Sequence, residues 1–131
     1  MAHAEPIIAV VDDEPPVRNM VRRLLRLADF QVAAFESGEA FLGTLASMAV
    51  LPACAIVDIH MPGLSGFDVQ AHMRAAHIDM PVVFITASDD VALDRSASQA
   101  GAVRLLRKPF SNDELLEAVS LALGRPDGGG T

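Results

Sequence analysis

The amino-acid sequence predicts one α/β domain whose parallel sheet is doubly wound, with helices on both faces. Short apolar runs alternate with segments of helical periodicity along the whole chain. Three runs, at 7–11, 53–57 and 81–86, are nearly continuous in apolar residues, which is typical of parallel strands covered on both faces. The 131 residues, 51% of them apolar, suit one domain at 1–124, and the Gly-rich segment 125–131 predicts a flexible tail or the start of a linker.

Five strands alternate with five helices in this prediction, so that five βα units follow one another. The strand candidates are residues 7–11, 30–35, 53–57, 81–86 and 102–106. The first helix begins near Pro15 and Pro16, since a missing N–H is tolerated in the first turn. Its apolar stripe recurs at steps of three and four and consists of Val17, Met20, Val21, Leu24, Leu25 and Ala28.

Serine caps and apolar repeats predict the other four helices. Ser37 is the predicted N-cap of the second helix, and Ser111 with Glu114 has capping-box spacing ahead of the fifth. The third helix follows the GLSG segment at 63–66, and the fourth follows an acidic turn and has a thin apolar face. The apolar positions are Phe41, Leu45 and Met48 in the second helix, Phe67, Val69 and Met73 in the third, Val91, Ala92 and Leu93 in the fourth, and Leu115, Leu116, Val119, Leu121 and Leu123 in the fifth.

Charge and hydropathy narrow the classes of function. A net charge of −7 leaves no basic field for a nucleic-acid backbone, so direct nucleic-acid binding is not expected. No segment approaches the roughly 20 apolar residues of a membrane span and no signal peptide is recognisable, so we expect a cytoplasmic protein without membrane contact. Cys54 is the one cysteine and lies in an apolar run, which favours a buried, inert thiol.

Charged and polar residues stand where four of the predicted strands end. In a parallel sheet these carboxyl ends meet at one edge, and ligands bind there at the point where the strand order reverses. The residues are Asp12, Asp13 and Glu14 after the first strand, Asp58 after the third, Thr86 at the end of the fourth, and Lys108 with Pro109 after the fifth. Three aspartates, a hydroxyl and an ammonium group are therefore expected to converge.

This set of side chains favours phosphoryl chemistry with a divalent cation. Neighbouring carboxylates repel one another and need a counter-charge, which Mg²⁺ supplies through oxygen ligands. Lys108 suits a phosphoryl oxygen, Thr86 offers a short hydroxyl donor, and Asp58 is a carboxylate nucleophile of the kind that forms an aspartyl phosphate. Each residue alone has a simpler explanation, such as acids favouring a helix N-terminus for Asp12 and Asp13. Their joint occurrence at one sheet edge favours the site.

Five motifs, in family order, resemble the receiver domains of bacterial two-component response regulators over residues 5–124. They are VVDDEP, IVDIHMPGLSGFD, PVVFITA, the GA pair at 101–102 and KPF at 108–110. The segments DIHMPGLSG, SDDVALDRSASQAGA and RKPFSNDELLEAV are most similar to the FixJ type. The resemblance implies a flavodoxin-like receiver fold with strand order 2-1-3-4-5.

The resemblance further implies that Asp58 takes a phosphoryl group from a sensor histidine kinase in a Mg²⁺-dependent reaction. Asp12 and Asp13 match the acidic pair that binds Mg²⁺, with Asp58 and the backbone carbonyl of His60 as the other protein ligands. Such a domain is not a conventional enzyme, because it catalyses only its own phosphorylation and dephosphorylation.

Thr86 matches the switch hydroxyl that moves toward the phosphoryl group, and Lys108 matches the lysine that binds it, with a cis bond to Pro109. The implied output is a change in the face formed by the fourth helix, fifth strand and fifth helix, which controls an output domain or partner and can support a homodimer on phosphorylation. In the FixJ type the output domain is a DNA-binding helix-turn-helix domain. None follows in this sequence, so that domain is either naturally absent or removed.

Two positions depart from the family pattern. Leu105 stands where the family usually has an aromatic switch residue, and an aliphatic side chain cannot report the movement of Thr86 by rotation of a ring. Asp29 stands where Gly is common before the second strand, and it is expected to adopt a left-handed backbone conformation at the helix end.

Two other functions stay open from the sequence. A haloacid-dehalogenase-like phosphatase also forms an aspartyl phosphate, but it needs an acid two residues beyond the nucleophile, where this chain has His60. It also needs a cap over its substrate, for which 131 residues leave little room. A pseudo-receiver, an interaction module that takes no phosphate, is compatible with Leu105 and is disfavoured by the intact Asp58, Thr86 and Lys108.

Overall fold

The computed structural model describes residues 6–124, in which five strands alternate with five helices. The elements are β1 Ile7–Val11, α1 Pro15–Leu27, β2 Gln31–Phe35, α2 Gly38–Leu45, β3 Cys54–Asp58, α3 Gly66–Ala75, β4 Val82–Thr86, α4 Ala92–Gln99, β5 Arg104–Arg107 and α5 Asn112–Ala122. None of the helices within residues 6–124 combines the length and the hydrophobicity needed to cross a membrane. The predicted tail at 125–131 lies outside the described residues.

The five strands form one parallel sheet in the order β2-β1-β3-β4-β5, which confirms the predicted fold class and strand order. In the register of the sheet, Asp58 of β3 lies beside Ile85 of β4. Thr86, the last residue of β4, lies beside Arg107, the last residue of β5. Because all strands run in one direction, their carboxyl ends lie at the same edge of the sheet.

Alternate residues of each strand point to opposite faces of the sheet, and each face has its own apolar core. The face under α2, α3 and α4 buries Ala9 and Val11 of β1 together with Phe41, Leu45, Val69, Met73 and Ala97. The face under α1 and α5 buries Ile8 and Val10 of β1 together with Val21, Leu25, Leu115, Ala118 and Val119. This double coverage explains why β1, β3 and β4 are nearly continuous in apolar residues.

Serine caps begin three of the helices. Ser37 Oγ accepts a backbone N–H at the start of α2, and Ser111 with Glu114 forms both hydrogen bonds of a capping box at the start of α5, as predicted. A second capping box, of Ser65 and Asp68, begins α3 and was not predicted, although its spacing is visible in the sequence.

Four predicted apolar positions of helices are wrong. Met20 is 41% exposed, because the buried stripe of α1 runs through the next residue. Met48 packs against the core but lies beyond the last residue of α2. Val91 is 80% exposed and precedes α4, and Ala92, the first residue of α4, is exposed as well. The helix begins after Val91 because Asp90 accepts the N–H of Ala92.

Two local predictions are confirmed. Asp29 has a φ angle of 70°, the left-handed conformation that was expected after α1, and His77 adopts the same conformation after α3 with a φ angle of 58°. Cys54 is buried in β3, and burial raises the pKa of its thiol to about 12, so the reactive thiolate is disfavoured at neutral pH.

Gly66, the first residue of α3, lies directly against the end of β3. A Cβ atom at this position would lie 2.7 Å from the carbonyl oxygen of Asp58 and 3.0 Å from the Cα atom of Ile59. The N–H of Gly66 also donates to the carbonyl oxygen of Ile59 at 2.9 Å. The backbone that positions Asp58 is therefore packed against α3 without room for a side chain.

We expect Gly66→Ala to destabilise the fold by about 1–3 kcal/mol, because the added methyl group overpacks backbone atoms on β3. Gly43→Ala is the matched control, since Gly43 lies inside α2 and a Cβ there would meet nothing within 4 Å. The control should stabilise the protein by about 0.5–1 kcal/mol through helix propensity. Urea unfolding measures both changes, and equal stabilities would contradict the close packing of α3 on β3.

Candidate functional site

Four polar side chains from four strand ends converge at the carboxyl edge of the sheet. Asp12, which follows β1, and Thr86, which ends β4, are fully buried, and Asp58 at the end of β3 is 3% exposed. Lys108 follows β5 with 12% of its side chain exposed, and its peptide bond to Pro109 is cis, as the resemblance implies. Polar side chains are rarely buried this fully without a specific partner or role.

The ammonium group of Lys108 lies among three carboxylates. Its Nζ atom is 2.8 Å from Glu14 Oε1, 3.1 Å from Asp12 Oδ2 and 3.4 Å from Asp58 Oδ2. The backbone N–H of Lys108 donates to the carbonyl oxygen of Thr86 at 2.7 Å, which fixes the start of the side chain beside β4. Lys108 therefore connects the ends of β1, β3 and β4.

Glu14 joins the acids that the resemblance places at the site. Carboxylate oxygens of Asp12, Glu14 and Asp58 lie within 4.8 Å of one another, whereas Asp13 lies outside this group and lines the same surface depression. The local reason is that Asp12 Oδ1 accepts the N–H of Glu14 at 2.9 Å, and this turn keeps Glu14 beside Asp12. Glu14 belongs to the acidic run visible in the sequence, and this turn together with the contact with Lys108 brings it into the site.

Two buried carboxylate oxygens at the site have no hydrogen-bond partner within the described part of the chain, namely Asp12 Oδ2 and Asp13 Oδ1. The contact of Asp12 Oδ2 with Lys108 is at ion-pair distance but lacks hydrogen-bond alignment. Buried carboxylate oxygens without a donor are unfavourable, and a hard divalent cation with oxygen ligands satisfies them. The donor set at this edge therefore fits Mg²⁺.

The charge of Asp58 is poorly compensated at neutral pH. Burial, and next the negative charge of Asp12, raises the pKa of Asp58 from 3.8 to about 6, while Lys108 and the N–H of His60, which donates to Asp58 Oδ1 at 3.2 Å, act in the opposite direction. Burial also opposes the charge of Lys108, but its contacts with Glu14 and Asp12 outweigh burial and raise its pKa above the ordinary value. The charged lysine alone does not offset burial and the charge of Asp12, so a further cation would stabilise the ionised form of Asp58.

Asp58 lines an open surface depression, which gives a small group access to its carboxylate. The lining residues are Asp13, Glu14, Asp58, His60, Ala87 and Lys108. His60 and Ala87 are exposed, and the small side chain of Ala87 leaves space beside the carboxylate. The hydroxyl oxygen of Thr86 accepts the N–H of Ser88 at 3.1 Å, so the side chain of Thr86 is bonded to the loop that follows it.

Leu105 lies on β5 beside Phe84 of β4 and is half-buried. Its side chain packs against the core cluster under α2, α3 and α4. Leu105 also lines a surface groove together with Asp94 and Ala97 of α4. The side chain of Leu105 therefore lies on the face of the sheet that α4 covers. This is the side of the domain where the resemblance implies the output.

The fold and the site together define a class, namely doubly wound α/β domains with an acidic, lysine-containing ligand site where the strand order reverses. The family model described as the response regulator receiver domain matches residues 8–120. The chain belongs to the response regulator receiver domain family.

Individual relatives agree with this assignment. Nodulation protein W of Bradyrhizobium diazoefficiens is 36% identical over 124 residues, which are 95% of this chain and 54% of that protein. Transcriptional regulatory protein FixJ of the same organism is 34% identical over 116 residues, 88% of this chain and 56% of FixJ. The crystal structure of a response regulator receiver protein from Burkholderia phymatum matches with a TM-score of 0.84 at 38% identity, covering 95% of this chain and 99% of that one. The chain spans about half the length of the curated relatives it matches.

Asp58→Asn should stabilise the metal-free protein at pH 8 by about 1–2 kcal/mol, because ionised Asp58 is disfavoured in the folded state. Since the folded-state pKa is raised, the stability that Asp58 contributes is fully present below pH 3.8 and is lost as the pH rises through about 6. The gain from the substitution should therefore shrink toward zero near pH 4.

Urea unfolding in EDTA at the two pH values measures this difference. Asp79→Asn removes one charge at an exposed position and serves as the control for the change in net charge. A gain for Asp58→Asn that is equal at both pH values would rule out an unfavourable ionised carboxylate at the site.

Proposed function

We propose that this domain accepts a phosphoryl group on Asp58 from a sensor histidine kinase, in a reaction that depends on Mg²⁺. One observation carries the proposal: the Asp58 carboxylate is almost fully buried yet lines an open depression, with the ammonium group of Lys108 at 3.4 Å. A carboxylate nucleophile beside a fixed cation is suited to attack on phosphorus. Membership of the receiver domain family supports the same assignment.

Asp12 and Asp13 are the proposed metal ligands, together with Asp58 and the backbone carbonyl of His60. The oxygens of Asp12 and Asp13 that lack hydrogen bonds support this choice. When bound there, Mg²⁺ supplies positive charge to the oxygens of the transferring phosphoryl group. Glu14 remains paired with Lys108 and keeps the ammonium group beside the site.

In the proposed transfer, one oxygen of the Asp58 carboxylate attacks phosphorus in line with the bond to the kinase histidine, and that bond breaks to release the imidazole. Lys108 contacts the phosphoryl oxygens as a point charge, and the hydroxyl of Thr86 donates to one of them. Attack of water on the same phosphorus later returns the carboxylate and releases phosphate. The domain acts only on its own phosphorylation state, so it is not a conventional enzyme.

The phosphoryl signal is proposed to reach the face formed by α4, β5 and α5. Thr86 is bonded to the loop before α4 through Ser88, and Leu105 packs between the sheet and α4. Leu105 has no aromatic ring to rotate, so the response is expected to pass through the loop and α4. This face is also the proposed site of a homodimer that forms on phosphorylation.

The output function belongs to the whole protein. The curated relatives are about twice as long as the part they share with this chain, and one of them is named a transcriptional regulatory protein. We propose that the receiver domain at 1–124 controls a DNA-binding output domain outside this chain, in the cytoplasm. The net charge of −7 supports a receiver domain that does not itself bind DNA.

Incubation with acetyl phosphate and Mg²⁺ should add one phosphoryl group to the wild-type protein and none to Asp58→Asn, as measured by intact mass. EDTA should abolish the addition, and Lys108→Ala should slow it by roughly 10²-fold or more, because the variant loses the fixed positive charge. Asp79→Asn should be labelled like the wild type. Labelling that persists in Asp58→Asn or in EDTA would overturn the site, and an unlabelled wild type would identify a pseudo-receiver.

Mg²⁺ should raise the melting temperature of the unphosphorylated protein by several degrees, because a ligand that binds only the folded state stabilises it by mass action. The shift should be largely lost in Asp13→Asn and kept in Asp79→Asn. Glu14→Gln decides between the two candidate acids: if it abolishes the shift and Asp13→Asn does not, the metal is bound by Asp12, Glu14 and Asp58 instead.

A further inference from the structure

Arg107, the last residue of β5, is bonded to the segment that connects Thr86 with α4. Its Nε atom donates to the carbonyl oxygen of Ser88 at 3.2 Å, and a terminal nitrogen donates to the carbonyl oxygen of Asp90 at 2.8 Å. The guanidinium group also donates to both carboxylate oxygens of Asp94, at 3.1 and 3.2 Å. We call Arg107, with these three partners, the Arg107 clamp.

The same segment is bonded to Thr86 at its other end. The N–H of Ser88 donates to Thr86 Oγ1 at 3.1 Å, and Ser88 Oγ accepts the N–H of Asp90 at 3.1 Å. Asp90 Oδ1 in turn accepts the N–H of Ala92, where α4 begins, at 2.9 Å. A continuous chain of hydrogen bonds therefore leads from the hydroxyl of Thr86 to the first residue of α4.

Few apolar side chains attach α4 to the sheet. Ala97 is the one buried residue of this helix, all of which the structure describes, and Leu93 packs half-buried against the same core. Val91, just before the helix, is 80% exposed. Packing of an apolar face normally supplies most of the stability of a helix in a protein. The polar contacts of the Arg107 clamp therefore add to a small apolar attachment of α4 to the sheet.

The geometry points to Arg107 and Asp94 as positioning residues that couple the state of Thr86 to α4. This inference rests on the proposed function, in which the hydroxyl of Thr86 turns toward a phosphoryl group on Asp58. When Thr86 Oγ1 moves, Ser88 either follows it or loses its acceptor, and in both cases the segment shifts relative to Arg107. The clamp thus holds α4 in its unphosphorylated position and opens on phosphorylation, a route that needs no aromatic ring at position 105.

The coupling has a definite sign. Labelling is expected to proceed from the conformation in which Thr86 faces Asp58, and contacts made only in the other conformation lower the population of that one. Removing such contacts therefore raises the labelling rate. Asp94→Asn keeps the shape of the side chain and removes the charge that pairs with Arg107. We expect labelling by acetyl phosphate to become roughly two- to fivefold faster, the range that an exposed ion pair supplies.

The test compares labelling rate and backbone hydrogen exchange in wild type, Asp94→Asn, Arg107→Lys and Glu117→Gln. Glu117→Gln is the matched control. Glu117 of α5 pairs at 3.3 Å with Arg104, which is on β5 like Arg107, and this pair does not involve the segment after Thr86. Without phosphate, exchange across residues 88–99 should be severalfold faster in Asp94→Asn than in wild type and unchanged in the control. Arg107→Lys keeps the charge but loses the forked donors, so it should be intermediate.

Phosphorylation should accelerate exchange across residues 88–99 in wild type and in Glu117→Gln, and by a smaller factor in Asp94→Asn. Asp94→Asn could instead show faster exchange without phosphate but a wild-type labelling rate and a wild-type acceleration of exchange on phosphorylation. The contact would then be merely structural, and the coupling would be overturned. If Asp94→Asn matches wild type in labelling rate, in exchange without phosphate and in the change of exchange on phosphorylation, the clamp itself is overturned. If wild type and Glu117→Gln are not labelled at all, the proposed function fails instead, so the two failures are distinguishable.

Discussion

The contact of a single ammonium group, that of Lys108, with carboxylates from two other strand ends is the interaction on which the site depends. Three carboxylates, those of Asp12, Glu14 and Asp58, contact this one lysine, and Asp13 lines the same depression. Parallel strands cause the crowding, because their carboxyl ends meet at one edge, and burial strengthens every charge interaction there. Positive charge is therefore in short supply, so the site favours a divalent cation. Burial, and next the charge of Asp12, leaves Asp58 with a raised pKa.

The end of β5 connects this charge site with the surface that is proposed to carry the output. Lys108 and Arg107 are adjacent, yet one contacts the carboxylates and the other contacts the segment before α4. Thr86 is bonded toward both of them. Its carbonyl oxygen accepts the N–H of Lys108, and its hydroxyl oxygen accepts the N–H of Ser88, whose carbonyl oxygen accepts from Arg107. A change of charge at Asp58 thus has a short, bonded route to α4, which little apolar packing holds in place.

The sequence could predict the fold and the strand-end residues because both follow from patterns along the chain. Asp58 and Lys108 follow or end apolar runs, and parallel topology alone brings such positions to one edge. The contact of Glu14 with Lys108, 94 residues away, depends on side-chain reach and on a local turn, which no periodicity encodes. The same limit hid Arg107, whose partners lie in the loop after β4 and in α4, and misplaced Met20, which is one residue from the buried stripe of its helix.

The most direct test of this charge balance is an NMR titration of the Asp58 side-chain carboxyl group in the metal-free protein and with saturating Mg²⁺. Without metal, the pKa of Asp58 should lie at about 6, above the ordinary value of 3.8. With Mg²⁺ bound, the pKa should fall below that ordinary value, because the cation favours the ionised carboxylate. A metal-free pKa near 3.8, or one that Mg²⁺ leaves unchanged, would contradict the proposed dependence of Asp58 on a cation at this edge of the sheet.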